Sequence, residues 1–73
     1  METNVKKSVL FITENIVRRY ARTKNISIQK SYETFTSSTT FRNLCNEKTE
    51  MWAEGINYIY DEFCKELKTK HSV

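Results

Sequence analysis

The sequence contains no proline and only one glycine, Gly55. Tight hairpin turns depend on these two residues for a fixed or a positive φ, so their scarcity argues against an all-β fold. No apolar run approaches the ~20 residues that a membrane-spanning helix needs, and no membrane contact is expected. Long helices are the natural alternative. At 73 residues they form one domain, close to the size below which a single apolar core is marginal.

Residue types that carry metals or catalysis are also scarce: the chain has one histidine, His71, and two cysteines, Cys45 and Cys64. A structural zinc site takes four nitrogen or sulfur ligands, so neither a metal nor a cofactor is expected. His71 lies in a polar end segment and is therefore a poor candidate for a catalytic base, and the sequence has no glycine-rich loop that would bind a phosphate. We therefore expect no enzyme activity and no catalytic residues.

No secretory signal is recognisable, which predicts the cytoplasm, where cysteines stay reduced. A Cys45–Cys64 disulfide is disfavoured on this ground but stays open. Apolar residues make up 38% and charged residues 29%, as in a globular protein. Twelve Lys and Arg against nine Asp and Glu give a net charge of +3, which permits an anionic partner without requiring one.

Helical periodicity runs through most of the chain. Apolar residues three to four apart predict a first helix over about 5–24, with Thr3 or Asn4 as its cap and Asn25 as a left-handed residue after its end. Its predicted inward stripe is Val5, Val9, Ile12, Ile16 and Tyr20.

Two short helices are predicted next. Ser27 caps a helix over about 28–36, with Ile28, Tyr32 and Phe35 on its inward face. The hydroxyl-rich segment 36–40 breaks the chain. A third helix then covers about 40–46, with Thr39 as its cap and Phe41, Leu44 and Cys45 facing inward.

The last helix is predicted over about 55–68, followed by a tail at 69–73. Its apolar stripe is Ile56, Ile59, Tyr60, Phe63 and Leu67, and its expected solvent-facing residues are Asp61, Glu62, Lys65 and Glu66. Gly55 is expected at the bend that begins this helix. The sequence thus predicts a single all-α domain of three to four helices, in which long first and last helices enclose two short ones.

Two groups of residues are candidates for binding another protein. In the segment TEMWAEGINYIYDEF, Trp52, Glu54 and Tyr58 do not belong to the firm apolar stripe. Trp52 and Tyr60 are expected to pack with their polar tips in water, whereas Tyr58 is expected to be exposed. In the first helix, Val9 to Ile12 are four consecutive apolar residues that one stripe cannot bury. Leu10 or Phe11 is therefore expected to face a second chain, either an operon partner or a second copy.

A nucleic-acid interface is the alternative. The two short helices and the turn between them have helix-turn-helix proportions, in which Thr39, Thr40, Arg42 and Asn43 would begin the recognition helix. Arg18, Arg19 and Arg22, with Lys24, would add phosphate contacts. The same basic residues complement the dipole at the end of the first helix, and this structural interpretation is preferred.

The layout also resembles a family of small, uncharacterised bacterial helical proteins that is classed as a domain of unknown function. The resemblance rests on Glu14-Asn15 in the first helix; on Asn25-Ile26-Ser27 followed by Tyr32 and Phe35; and on Met51, Gly55 and Tyr58-Ile59. This chain has Trp52 where the family commonly has histidine, and it lacks the family's glycine between the short helices. Such proteins are often encoded beside a larger ADP-ribosyltransferase-like protein.

The resemblance implies a non-catalytic protein-interaction module, an antitoxin-like or operon-partner protein. The alternative is a small helix-turn-helix DNA-binding regulator. The two hypotheses place the functional surface on different residues of the same helical domain.

Overall fold

A computed structural model describes the backbone of residues 2–71 and the side chains of residues 6–46 and 48–69. Its helices are α1 (Glu2–Lys24), α2 (Ile28–Thr36), α3 (Thr39–Cys45) and α4 (Ile56–His71), and the described residues form no strand. Single 3₁₀ turns cover Glu47–Thr49 and Met51–Ala53. The predicted all-α fold, with two long helices around two short ones, is confirmed. No helix of the described part combines the length and apolarity that crossing a bilayer requires.

The observed bounds differ from the predicted ones mainly at the ends of the long helices. Helix α1 begins three residues earlier than predicted, and the side chains of Thr3, Asn4 and Val5 lie outside the described residues. Helix α4 continues through His71, so residues 69–71 are helical and do not belong to a tail; residues 72–73 are outside the described part. Asn25 has a φ of 56°, the left-handed conformation predicted after α1.

A small apolar core lies where α1, α2, α3 and α4 meet. Its fully or almost fully buried residues are Ile12, Ile16, Val17, Phe35, Leu44, Ile59 and Phe63. The ring of Phe35 packs edge to face on Phe63 and on Phe41, at centroid distances of 5.0 and 5.4 Å. The inward stripes predicted for α1 and α4 supply most of this core, and their period explains why these two helices face each other.

Helix α2 is rotated relative to its predicted orientation. Only Phe35 of the three predicted inward residues is buried, while Ile28 and Tyr32 are 55% and 53% exposed. Ser31 is fully buried instead, and its hydroxyl donates to the Val17 carbonyl at 2.7 Å. The small side chain and this hydrogen bond hold α2 against α1 along the Ser31–Phe35 line, which turns Ile28 and Tyr32 outward.

Helix α3 begins one residue earlier than predicted because Ser38, and not Thr39, is its N-cap. The Ser38 hydroxyl accepts from the Phe41 amide at 3.0 Å, as an N-cap side chain does. Leu44 is buried and Phe41 partly buried, as predicted, but Cys45 is exposed. The helix ends at Cys45 itself, so the inward face does not extend to it.

Gly55 precedes α4 with a φ of +99°, a conformation that L-residues with a Cβ rarely adopt. Its carbonyl accepts from the Ile59 amide and so closes the first turn of α4. The predicted bend is present. A Cβ at this position would meet no atom within 4 Å, so backbone conformation is the reason for glycine here.

Candidate protein-interaction surface

Four large apolar side chains are exposed on α1 and α2. Leu10 and Phe11 of α1 are 68% and 62% exposed, and Ile28 and Tyr32 of α2 are the two residues that the rotation of α2 turns outward. We call these four residues the outer apolar face. Leu10, Ile28 and Tyr32 line one groove, and large exposed apolar side chains near one another are often found at interaction sites.

A groove of about 540 Å³ runs between α1 and α2 within this face. Leu10, Ile28 and Tyr32 line its rim, and the partly buried Val9 and Phe41 line it with Val17 more deeply. The groove offers a concave apolar seat bounded by exposed rings and methyl groups. Such a seat suits an apolar side chain or one face of a helix from a partner.

Polar groups give the groove a charged end and one buried donor. Arg18 forms an ion pair of 2.6 Å with Glu14, and both side chains are about two-thirds exposed. Thr13 is 7% exposed, and its hydroxyl has no hydrogen-bond partner among the described residues. A buried hydroxyl without a partner is a local weak point of the packing. The Thr13 hydroxyl also lies at the groove, where it is placed to donate a hydrogen bond to a carbonyl of a bound partner.

The sequence predicted that Leu10 or Phe11 faces a second chain, but it assigned Ile28 and Tyr32 to the inward face of α2. The signal that would have found them is Ser31. A helix of nine residues cannot bury both the Ile28–Tyr32 line and the Ser31–Phe35 line, and a serine allows closer approach of two backbones than isoleucine or tyrosine does.

The other predicted protein-binding residues lie elsewhere. Trp52 is half-buried and packs against the core from the second 3₁₀ turn; its indole N–H is buried without a partner in the described part of the chain, whereas a wet polar tip was expected. Glu54 is exposed at the end of that turn. Tyr58 is 48% exposed, as its position off the α4 stripe predicts.

These residues do not join the outer apolar face. Asn57, next to Tyr58, accepts a 3.0 Å hydrogen bond from Arg19. Arg19 follows Leu10 by nine residues, which places the two side chains about 180° apart around α1. Tyr58 therefore belongs to a different side of the molecule from Leu10, and the five predicted residues do not form one surface.

Two of the arginines of α1, Arg18 and Arg19, have partners within the fold. Arg19 lies over the Tyr60 ring, with its guanidinium carbon 4.2 Å from the ring centroid, in addition to its bond to Asn57. Arg18 pairs with Glu14. Arg22 is exposed and, together with Arg18, lines an open cleft of about 380 Å³ between the end of α1 and the start of α2. Arg19 therefore links α1 to α4, and Arg18 and Arg22 are exposed.

The first turn of α3 is blocked by a carboxylate from α4. Glu66 accepts from the Thr39 amide at 2.8 Å, from the Thr40 amide at 2.8 Å and from the Thr40 hydroxyl at 2.7 Å. A carboxylate satisfies unpaired amides and complements the dipole at a helix N-terminus. Glu66 is half-buried and does not simply face water, which corrects the prediction for this residue.

The same arrangement corrects the prediction for Thr40, which is 5% exposed and cannot reach a base edge from its present position. Thr39, Arg42 and Asn43 are exposed on α3. In the described structure no hydrogen bond or ion pair links these three residues to the arginines of α1. A negative carboxylate at the start of α3 also opposes the approach of a phosphate there.

Cys45, which is exposed, and Cys64, which is half-buried, are both free thiols in this structure. Cys45 is exposed, yet desolvation by neighbouring atoms raises the pKa of its thiol, so the neutral form is favoured. No group of three or more His, Cys, Asp or Glu residues that could hold a metal ion occurs in the described part. The outer apolar face remains the most prominent surface feature. Comparisons with protein-family models, with curated proteins and with solved structures find no match to this chain.

Proposed function

We propose that this chain is a non-catalytic protein-interaction module that binds another protein through the outer apolar face. The single observation that carries the proposal is the groove between α1 and α2, with Leu10, Ile28 and Tyr32 at its rim. Removing such side chains from water favours association in proportion to the apolar area covered. Large side chains that ring a concave seat are the usual centre of a binding site.

The partner class follows from the family that the sequence resembles. We propose an operon-partner role of the antitoxin-like kind, in the bacterial cytoplasm, where the two free thiols would stay reduced. In this role the small helical chain covers a site on the larger protein encoded beside it. A groove that accepts a helix or a loop suits that task.

The test is co-expression with the protein encoded by the neighbouring gene, followed by purification of the complex and measurement of its dissociation constant. Leu10→Lys places a charge at the rim of the groove and is expected to weaken binding at least about thirtyfold, as for a central contact residue. Tyr58→Lys is the matched control, because Tyr58 is similarly exposed on another side of the molecule. Loss of binding with Tyr58→Lys but not with Leu10→Lys would contradict the assigned surface.

The alternative function, DNA binding through α3, is disfavoured by the Glu66 carboxylate at the start of that helix. Electrostatic binding to random duplex DNA weakens steeply as salt rises. Salt-dependent binding of such a duplex at 50 mM salt, lost with Arg42→Ala and kept with Leu10→Lys, would favour the DNA-binding regulator over the protein-interaction module.

A further inference from the structure

We propose that a second copy of this chain occupies the outer apolar face, and that two α1 helices pair antiparallel across a twofold axis between Leu10 and Phe11. The inference rests on the proposed function, since it names one occupant of the same face. It follows from the order of charges along α1.

Lys7, Leu10, Phe11 and Glu14 form one strip along α1, because residues three to four apart lie on the same side of a helix. All four side chains are exposed. The strip points away from the buried Ile12 and Ile16, which follow the opposite side of the helix. A second helix can therefore lie along it without displacing any part of the core.

A twofold interface requires that if one residue contacts another, the reverse contact also occurs. With the axis between residues 10 and 11, Leu10 faces Phe11 of the second copy. By the same symmetry, Lys7 faces Glu14 of the second copy, since both lie 3.5 residues, or one turn, from the axis. The apolar pair is then at the centre, and an opposite charge pair closes each end.

The alternative arrangement, with parallel helices in register, places Lys7 against Lys7 and Glu14 against Glu14. Like charges at these positions repel, so the charge order selects the antiparallel pair. Lys7 makes no ion pair with the side chains that the structure describes. Glu14 is held by Arg18 of its own helix and, as an exposed carboxylate, has a further oxygen available.

The available area limits the size of the interface. The four residues of the outer apolar face present on the order of 500 Å² of surface, which is as large as the largest patch on a typical monomer. A standard interface covers about 800 Å² on each partner, so the charged rim must contribute as well. We therefore expect a reversible dimer with a dissociation constant on the order of 10–100 µM.

Charge reversal tests the pairing directly. Lys7→Glu gives a chain with two glutamates on the strip, and Glu14→Lys gives a chain with two lysines. Each variant alone is expected to dimerise about tenfold more weakly than the unaltered chain, because both end pairs become like-charged. An equimolar mixture of the two variants restores both opposite pairs and is expected to dimerise at least as well as the unaltered chain, as is the double variant K7E/E14K.

The measurement is sedimentation velocity between about 1 and 500 µM, with far-UV circular dichroism to verify that each variant remains helical. Lys6→Glu is the matched control: it makes the same charge change one residue away, where the symmetry places Asn15 and no charge opposite. It is expected to change the dissociation constant less than twofold. A chain that stays monomeric at 500 µM overturns the proposal, as does a mixture that associates no better than its two components.

The outcome is separable from that of the proposed function. The Lys7→Glu variant keeps Leu10 and Phe11. If this weakly associating variant binds the protein encoded by the neighbouring gene, the interaction module is supported whether or not the unaltered chain forms a dimer. A chain that is monomeric but binds the neighbour through Leu10 removes only the dimer. A charge-paired dimer that ignores the neighbour supports the dimer and removes only the operon-partner role.

Discussion

Two regions of the molecule reverse the usual arrangement: polar side chains are buried around α3, and apolar side chains are exposed on α1 and α2. Around α3, the buried Ser38 and Thr40 and the half-buried Glu66 lie at the interior, and each has hydrogen-bond partners within the chain. On the outer apolar face, Leu10 and Ile28 are more than half exposed. A satisfied polar group in the interior is fully accounted for by the fold, whereas an exposed apolar group gains only from another surface. The comparison therefore separates the residues that the fold itself accounts for from those that it leaves exposed.

The largest expected difference is between deleting a buried aromatic ring and deleting an exposed one. Phe35→Ala removes a fully buried ring that contacts Phe41 and Phe63, and it is expected to cost about 3–5 kcal/mol of unfolding free energy. That is about the whole stability of so small a domain. Phe11→Ala deletes the same ring from the outer apolar face and is expected to change stability by less than about 0.5 kcal/mol.

Urea unfolding followed by circular dichroism at low micromolar protein checks both values. Phe35→Leu, expected to cost about 1–2 kcal/mol, keeps the measurement possible if Phe35→Ala does not fold. A large loss with Phe11→Ala would mean that Phe11 is part of the monomer's core, and the distinction between the two sides would fail.

A smaller effect is expected from the carboxylate at α3. Glu66→Ala leaves the amides of Thr39 and Thr40 without their acceptor and is expected to cost about 1–3 kcal/mol. Asp61→Ala removes a carboxylate of α4 that pairs with Lys65 at 3.2 Å in solvent, and it is expected to cost at most about 0.5 kcal/mol. The same urea titrations compare the two variants. Equal costs would show that the polar cluster does not stabilise the fold beyond an ordinary surface pair.

The smallest effect is a pH dependence at Tyr20, whose ring packs on Phe63 at 5.1 Å. Burial, with smaller contributions from Cys64 and Tyr60, raises the pKa of Tyr20 above its usual value of about 10. The unfolded chain then loses its proton at lower pH than the folded chain. This contribution to stability is therefore complete below pH ~10 and is lost as pH rises through the folded pKa.

Tyr20→Phe cannot ionise, so its unfolding free energy is expected to fall less between pH 10 and 11.5 than that of the unaltered chain. From pH 7 to 9 the two curves should run parallel, which provides the baseline. An equal fall for both proteins above pH 10 would show that the Tyr20 hydroxyl gains nothing from its position at the edge of the core.

Local patterns predicted the helices and the inward faces of α1 and α4, because the apolar period of a long helix is repeated several times. The bounds 28–36 for α2 and the left-handed Asn25 also followed from caps that lie next to each other in sequence. The orientation of α2 did not follow. In a helix of nine residues, a small rotation decides whether Ile28 and Tyr32 or Ser31 and Phe35 face inward. The hydrogen bond from Ser31 to Val17 that selects the second pair joins two helices, so no local pattern contains it.

The candidate surface was predicted in part for the same reason. Leu10 and Phe11 were identified because four consecutive apolar residues exceed what one stripe can bury. Glu66 was assigned to solvent because its neighbours in α4 are charged, yet its partners Thr39 and Thr40 lie 27 and 26 residues earlier. No local pattern contains a contact of that sequence separation.

The carboxylate of Glu66 also sets an order of events during synthesis. Ribosomes deliver a chain from its N-terminus at about 5–20 residues per second, so α1, α2 and α3 are complete seconds before residue 66 is added. Until then the first amides of α3 lack their acceptor and Phe35 lacks the ring of Phe63. Until these late residues join the fold, the interior of the early chain is therefore unfinished. Closure of the interior by α4 leaves Leu10, Phe11, Ile28 and Tyr32 as exposed apolar residues.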